Sequence, residues 1–271
     1  DLELFLAPFS DAQAQGGVLA VIHDVTVQRR NEEMSRAFVA NVSHELRTPL
    51  TNVRSYTETI LDSGEDLPWE LEQNFLNVVL TETDRMTRIV QDLLTLSRFD
   101  SGRMELNMTR FPFGSAVRNV YQAVTMSAQE HRHTLRLNLA PNIPKVEGDQ
   151  QRIEQVIMNI LSNAIKYTPD GGEISISAGR DPAGDAWVNV TDNGIGIPEE
   201  DIPRLFERFY RVDKARSRES GGTGLGLSIA LEILNLHQGK ITVDSKLGQG
   251  TSVTITLPAA GKGAGKNAQT G

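Results

Sequence analysis

Residues 38–51, FVANVSHELRTPLT, place a histidine and a glutamate shortly before a proline in a segment whose pattern is otherwise helical. A neutral imidazole is a nucleophile, and a carboxylate at its side can take the ring proton and fix the tautomer. His44 and Glu45 are therefore a candidate nucleophile and base. Pro49 removes one backbone N–H from the helix and can bend it, which makes this turn easier to deform. The simpler alternative is an incidental histidine on a solvated helix face.

A second candidate group lies on one face of a later helix. In NILSNAIKYTP, Asn159 and Asn163 are one turn apart, and Lys166 and Tyr167 follow one turn later. Amide oxygens suit a hard cation such as Mg²⁺, which keeps several waters and takes few protein ligands. Two such amides are equally compatible with helix capping or with the edge of a core.

Three glycine-rich segments add to this group. DNGIGI, residues 192–197, brings Asp192 to a turn where its carboxylate could accept a hydrogen bond from the exocyclic amine of a base. GGTGLGL, residues 221–227, leads into a helix whose first N–H groups and dipole favour phosphates. GQGT, residues 248–251, precedes a strand. Each segment alone is more simply an ordinary structural turn or hairpin.

The elements that position these residues begin with a helical hairpin. Apolar residues at alternating spacings of three and four predict a helix over 28–61, and a second helix follows over 69–97 after DSGEDLP. The first seam places His44 at the position farthest from the partner helix. Such a hairpin leaves an apolar stripe uncovered, so we expect two copies to form a dimeric four-helix bundle. The seam residues are Val39, Val42, Leu46, Pro49, Val53, Tyr56 and Ile60.

Beyond residue 112 the pattern mixes helices and strands, which predicts an α+β sandwich and hence a multidomain chain. Helices are expected over 114–131, 150–167, 201–209 and 225–237, and strands over 135–139, 173–178, 187–192, 241–245 and 251–257. The expected division is two strands and a linker in 1–27, the hairpin in 28–100, a linker in 101–112, the sandwich in 113–258 and a disordered tail in 259–271.

Composition excludes several classes of function. The net charge of −8 argues against binding to a nucleic-acid backbone, and the absence of cysteine excludes disulfides and thiolate sites. No apolar run is long enough to cross a bilayer, so no direct membrane contact is expected of these residues. A metal site at Glu130, His131 and His133 is disfavoured, because no third ligand is suitably spaced and EHRH is typical of a solvated helix end.

The segment SHELRTPLT resembles the H box of bacterial sensor histidine kinases of the two-component class. The resemblance implies a protein-histidine kinase in which His44 takes a phosphoryl group from ATP on a ring nitrogen. It also implies that Glu45 is the acid/base partner and that Thr48 assists dephosphorylation of a partner response regulator. Together with the polar segment 210–224, the H box looks closest to the WalK and PhoR branches of this family.

The four downstream segments resemble, in order, the N, G1, G2 and G3 boxes of the kinase ATP-binding domain, the GHKL or Bergerat fold. LFERFYR, residues 205–211, resembles the F box, and the polar segment 210–224 resembles the mobile ATP lid. The resemblance implies that Asn163 binds Mg²⁺ and that ATP is bound by Asn159, Asn163, Lys166, Tyr167, Asp192, Gly194, Gly196, Gly222, Gly224, Leu225, Gly226 and Thr251.

The residue at position 159 favours kinase chemistry over ATP hydrolysis. Hydrolytic relatives carry a glutamate where this chain has Asn159, and an amide cannot act as the base that activates water. Lys166 and Arg211 are expected to offset charge on the transferred phosphoryl group. A GHKL-type ATPase and a non-catalytic or degenerate kinase that serves as a scaffold are the alternatives.

The opening strands, which end in VIHDVTVQRR, resemble the end of a PAS sensor domain with its exit linker. The resemblance to sensor histidine kinases implies a homodimer with a receiver domain as partner. It also implies that these residues are a cytoplasmic fragment of a membrane-anchored bacterial sensor. The signal, the cognate regulator and whether phosphorylation occurs within or between protomers stay open.

Overall fold

The structure is a computed structural model that describes residues 1–10, 16–212 and 222–261. The chain divides into two compact units, Asp1–Met86 and Thr87–Gly271. The DAQAQ turn, most of the expected lid, and residues 262–271 of the expected tail lie outside the described residues. No helix in the described ranges is both long and apolar enough to cross a membrane.

The first unit contains a β-hairpin followed by the helical hairpin. Its elements are β1 (Leu2–Ser10), β2 (Gly16–Asp24), α1 (Thr26–Ser63), a 3-10 turn (Gly64–Asp66) and the start of α2 (Trp69–Asp100). Gly64 ends α1 with a positive φ of 53°, a conformation that glycine adopts without strain. The rings of Tyr56 and Phe75 lie 5.1 Å apart between the two helices. The helical hairpin predicted from the heptad pattern is confirmed.

The seam of α1 is covered as the pattern predicts, except at its start. Pro49 is buried and the later seam residues are half-buried, whereas Val39 is 60% exposed. Large apolar side chains stay exposed on both helices of this unit: Leu50, Leu61, Trp69, Leu71, Leu76 and Leu80. An apolar stripe of this kind is the surface through which helical hairpins associate into bundles.

The second unit begins with the end of α2 and is an α/β sandwich, as predicted. Helices α3, α4 and α5 pack side by side against a five-stranded sheet of order β4-β6-β7-β9-β8. Only the pair β4–β6 is parallel. The further elements are β3 (Thr109–Pro112), α3 (Phe113–Glu130), β4 (Thr134–Leu139), β5 (Lys145–Gly148), α4 (Gln150–Tyr167), β6 (Glu173–Arg180), β7 (Ala186–Asp192), a 3-10 segment (Glu199–Arg204), α5 (Gly226–Leu236), β8 (Lys240–Lys246) and β9 (Gly250–Leu257).

Strand register explains how distant glycine segments meet. In the β7–β9 pair, Asp192 lies opposite Thr251, so the turns after β7 and before β9 are at the same edge of the sheet. The apolar face of α4 covers the sheet because its buried residues recur every three or four positions. Fully buried core residues include Phe113, Ile153, Ile157, Leu161, Ile174, Ile176, Ile229 and Ile233.

Two short strands were not predicted. Residues 109–112, expected in the linker, form β3, which pairs antiparallel with β5. Each strand has only four residues, and each buries a single large apolar side chain, Phe111 opposite Val146, so the pattern of each strand is too short to recognise. The ordered chain also continues beyond residue 258, because Ala259 pairs with Val146 and the Ala260 N–H donates to the Lys145 carbonyl over 2.8 Å.

The helix expected over 201–209 is wrong. The chain forms a 3-10 segment over Glu199–Arg204 and then turns. Pro203 has no N–H to donate, and Phe209 has a positive φ of 64°, which ends any right-handed helix. The Phe209 N–H instead donates to the Gly224 carbonyl over 2.9 Å.

Candidate functional site

His44 lies on the exposed side of α1, as its heptad position predicts. Its side chain is 60% exposed, whereas that of the neighbouring Glu45 is only 16% exposed. Glu45 Oε1 is 4.0 Å from Nδ1 of the imidazole, and Glu45 Oε2 accepts a hydrogen bond from Arg85 over 3.2 Å. The carboxylate therefore lies on the Nδ1 side of the exposed ring, which makes Nε2 the candidate nucleophile.

Thr48 follows His44 by one turn. Its hydroxyl donates to the His44 carbonyl over 3.4 Å, near the limit for a hydrogen bond. The corresponding bonds of Thr51 and Thr57 to their own preceding turns are 2.9 Å and 2.7 Å. The Thr48 hydroxyl is thus held more weakly than its neighbours on the same helix, and redirecting it towards another group would sacrifice little.

The second unit contains an open cavity of about 430 Å³. Its floor is formed by α4 and the strands, and its rim by the turns after β7, before β9 and before α5. Apolar walls from Val190, Val243 and Val253 face a few polar groups, the usual composition of a small-molecule site. The sequence-predicted residues that line it are Asn159, Asn163, Lys166, Tyr167, Asp192, Gly196, Arg211, Gly222, Gly224, Gly226 and Thr251.

Asp192 is the half-buried acid of this cavity. Its Oδ1 accepts backbone hydrogen bonds from Gly194 over 2.8 Å and from Thr251 over 3.2 Å. Burial raises the pKa of Asp192 above its ordinary value, although the two N–H groups act in the opposite direction. Both backbone bonds end on Oδ1. No donor to Oδ2 is found among the described residues, so this second oxygen is available for a ligand.

Helix α4 supplies the amide and basic groups. The Asn159 amide donates to the Gly226 carbonyl over 2.9 Å, which ties α4 to the first turn of α5. Lys166 Nζ lies 4.8 Å from the centre of the Tyr167 ring, a cation–π contact. Asn163 lines the cavity together with these residues. The arrangement gives one cation and neutral oxygen donors along a single helix face.

Two of the glycines are required by the backbone. Gly196 has a φ of 68°, and a Cβ there would lie 2.0 Å from the Lys246 carbonyl oxygen. Gly224 has a φ of 72°, and a Cβ there would lie 2.9 Å from the backbone of Phe209. Larger residues would push these turns apart, so the rim of the cavity depends on glycine at both positions.

The last turns of α2 also line the cavity, and the sequence analysis missed them. They contribute Arg88, Gln91 and Asp92. Thr223 donates to Asp92 Oδ2 over 3.0 Å. Burial raises the pKa of Asp92, with the Thr223 hydrogen bond and the charge of Arg88 opposing. Polar residues on the outer side of a helix are normally solvated, so nothing in the sequence marked them as site residues.

Two basic groups at the start of the expected lid, Arg208 and Arg211, are held in place. Arg211 Nη2 donates to the Gly222 carbonyl. Arg208 forms a bidentate ion pair with Asp100 at the end of α2, with distances of 2.6 Å and 2.8 Å. The Arg208 guanidinium in turn lowers the pKa of Asp100. These contacts fix the chain on both sides of the segment that lies outside the described residues.

Two predicted nucleotide-binding residues do not line the cavity. Leu225 is fully buried and directly precedes α5, and its N–H donates to the Thr223 hydroxyl over 3.2 Å. Gly194 acts through its backbone N–H on Asp192. The predicted phosphoacceptor His44 and its predicted partners Glu45 and Thr48 belong to the first unit, whereas the residues that line the cavity belong to the second.

The EHRH segment differs from the solvated helix end that we expected. His133 is buried, and its Nε2 is 3.1 Å from the Ile165 carbonyl. The exposed His131 pairs instead with Asp170 over 3.1 Å and stacks on His133 with ring centres 5.6 Å apart. In the described part of the chain, no three side chains of the acidic, histidine or cysteine type are grouped to hold a metal ion.

Comparison with protein families gives two matches. Residues 34–102 match the His Kinase A (phospho-acceptor) domain. Residues 148–261 match the family described as histidine kinase-, DNA gyrase B- and HSP90-like ATPase. The first match contains the His44–Glu45 pair, and the second contains most of the residues that line the cavity.

Individual relatives agree with these matches. The sensor histidine kinase WalK of Bacillus subtilis (strain 168) is 45% identical over 89% of this chain and 39% of its own length. This chain thus spans about two fifths of that relative. The catalytic domain of histidine kinase ThkA is 30% identical, with 58% of this chain and 97% of that chain covered and a TM-score of 0.50. ThkA in complex with response regulator protein TrrA is 26% identical, with 94% and 74% covered and a TM-score of 0.68.

Proposed function

The chain belongs to the sensor histidine kinases, and on this premise we propose that it transfers the γ-phosphoryl group of ATP to His44 and then to an aspartate of a response regulator. The observation that carries the proposal is the exposed imidazole with a carboxylate on its Nδ1 side. The cavity lined by the half-buried Asp192 would be the matching nucleotide site on the same chain.

The transfer step follows from the geometry at His44. With the proton on Nδ1, the lone pair of Nε2 attacks the γ-phosphorus, and the bond from that phosphorus to the β,γ-bridging oxygen breaks. ADP leaves with the electron pair of that bond. The Nδ1 proton passes to Glu45, whose Oε1 lies 4.0 Å away and must approach closer as the step proceeds. The product is a neutral imidazole ring carrying the phosphoryl group.

The cavity would hold ATP by its base and its phosphates. Asp192 would accept a hydrogen bond from the adenine amine, and the backbone N–H groups at the start of α5, around Gly224 and Gly226, would bind the phosphates. The oxygen of Asn163, with Asn159 beside it, suits a Mg²⁺ ion that arrives with the nucleotide. Such an ion would neutralise phosphate charge, and Lys166 and Arg211 would add to this neutralisation.

Hydrolysis of ATP is the less favoured second function. The Asn159 side chain has no basic electron pair for activating water, and its amide is already engaged with Gly226 over 2.9 Å. A scaffold without catalysis is disfavoured because the phosphoacceptor pair and the cavity are both intact. Thr48, whose hydroxyl is weakly held, would orient water during dephosphorylation of the regulator.

The partners follow from the same premise. The exposed apolar stripe of the helical hairpin would be covered by a second copy in a four-helix bundle. The complex of ThkA with a response regulator supports a receiver domain as the second partner. Membrane anchoring of the whole protein remains a prediction from the family resemblance.

The decisive experiment is phosphorylation with γ-labelled ATP. We expect acid-labile, base-stable label on the parent protein, none on His44→Gln, and equal binding of an ATP analogue by both. Label that persists on His44→Gln would exclude His44 as the acceptor. Release of inorganic phosphate by His44→Gln at the parent rate of ATP consumption would favour the ATPase alternative.

A further inference from the structure

An arginine is buried inside the helical hairpin between two glutamates. Arg85 of α2 is 7% exposed in its side chain, while Glu45 of α1 and Glu82 of α2 are each 16% exposed. Arg85 Nη2 lies 3.2 Å from Glu45 Oε2, and Nη1 lies 3.8 Å from Glu82 Oε2. Asn52 of α1 donates to Glu82 Oε1 over 2.8 Å. These four residues form the hairpin polar cluster.

The cluster is poorly suited to a purely stabilising role. Burying a guanidinium is unfavourable unless its donors are satisfied, and an apolar residue of similar size usually stabilises such a site as well or better. The buried Arg85 Nε has no hydrogen-bond partner within the described ranges. The two carboxylates also exceed the single cation in charge. Retaining an arginine here therefore calls for a reason other than packing.

The orientation of the Glu45 carboxylate supplies that reason. Its two oxygens are divided between two partners, because Oε2 is bound by Arg85 and Oε1 faces Nδ1 of His44. An arginine side chain presents a rigid fork of donors, so it fixes a carboxylate better than lysine does. Without that anchor the Glu45 side chain could rotate away from the imidazole.

We propose that Arg85 is a positioning residue for phosphorylation of His44, holding the Glu45 carboxylate on the Nδ1 side of the ring. The inference rests on the proposed function. Arg85 would act on the imidazole through its ion pair with Glu45. Asn52 belongs to the same cluster through its hydrogen bond to Glu82, which makes Asn52 a matched control.

The test compares Arg85→Met, Arg85→Lys, Glu45→Gln, the double variant Arg85→Met/Glu45→Gln, and Asn52→Ala. Single-turnover phosphorylation of His44 is followed against ATP concentration and pH, and each variant is melted thermally. We expect Arg85→Met to lower the maximal rate at least about tenfold, a modest part of the contribution of a general base. The ATP concentration at half-maximal rate should change less than about twofold, because the nucleotide cavity lies in the other unit.

The double variant separates positioning from structure. If Arg85 acts through Glu45, the double variant is no slower than Glu45→Gln alone, and both single variants show the same altered pH profile. Arg85→Lys should keep the parent's melting temperature more closely and recover part of the rate. Asn52→Ala should lose stability without a matching loss of rate.

Three results would overturn the inference. They are a parental rate in Arg85→Met, full additivity of the Arg85→Met and Glu45→Gln losses, or rates that follow melting temperature across all variants including Asn52→Ala. If Arg85→Met does not fold, the parent's rate and pH profile in Arg85→Lys would likewise overturn the inference. A parent protein that carries no label on His44 would instead refute the proposed function itself.

Discussion

Replacing Asp192 by asparagine tests the nucleotide site with a change of one atom in the carboxyl group. Oδ1 accepts the N–H groups of Gly194 and Thr251, and the amide oxygen of asparagine can accept the same two bonds. The turn should therefore keep its structure. The other oxygen becomes an NH₂ donor, which would face the donor amine of adenine.

The expected loss follows from this exchange. A hydrogen bond to a charged group contributes about 1.5–3 kcal/mol, which corresponds to about 10- to 150-fold in Kd. We expect Asp192→Asn to weaken binding of a non-hydrolysable ATP analogue with Mg²⁺ by that factor in a calorimetric titration. Asp181→Asn is the control, because Asp181 Oδ1 accepts the Asp185 N–H over 2.8 Å in the turn at the opposite end of the sheet.

The same residue gives binding a defined pH dependence. Burial raises the pKa of Asp192, and the ionised carboxylate accepts a stronger hydrogen bond from the adenine amine than the protonated acid does. Affinity should thus be constant well above that raised pKa and fall as the pH is lowered through it. Asp192→Asn should lose this slope. A parental Kd in Asp192→Asn, with unchanged melting temperature, would refute the role of Asp192 in base recognition.

Three further predictions concern other parts of the chain. Thr48→Ala should phosphorylate itself near the parent rate but dephosphorylate the regulator at least about tenfold more slowly; a parallel fall in both rates and in melting temperature would mean a structural role. His237→Leu removes the buried acceptor of the Asp149 N–H, a bond of 2.9 Å, and should lower the free energy of unfolding by about 1–3 kcal/mol in denaturant titration. The exposed His131→Leu is its control, and equal losses would contradict this account. Sedimentation should show a dimer through residues 30–98, and a folded monomer at micromolar concentration would contradict it.

Helix α4 illustrates what local sequence determines. Its observed bounds, Gln150–Tyr167, equal the predicted ones, because apolar residues recur every three or four positions along its length. The Asp149 side chain caps it by accepting the Arg152 N–H over 3.1 Å. Both the N-cap residue and the apolar periodicity of a helix are determined by residues close together in sequence, and here both signals predict the same helix. The residues of this helix that are predicted to bind the nucleotide accordingly lie together in the cavity.

Contacts between distant residues were beyond the same reasoning. Asp92 meets Thr223 across 131 positions, and Arg85 meets Glu45 across 40. Such pairs leave no periodic trace, since each residue is polar on a face that could equally be solvated. His133 was missed for the related reason that a buried histidine and an exposed one look alike in sequence. The short strands β3 and β5 were missed because four residues are the shortest run in which an alternation can be recognised.

The participation of α2 in the cavity has a consequence for drug screening. A fragment that begins at Thr109 would retain β3 to β9 but lack Arg88, Gln91 and Asp92. Inhibitors ranked against that fragment would be selected without the groups that this helix adds to the cavity. Compounds with a cationic substituent aimed at Asp92 would then be undervalued. Screens that start at or before Thr87 should rank such compounds higher, and this difference in ranking would separate inhibitors of this chain from general ligands of the ATP-binding fold.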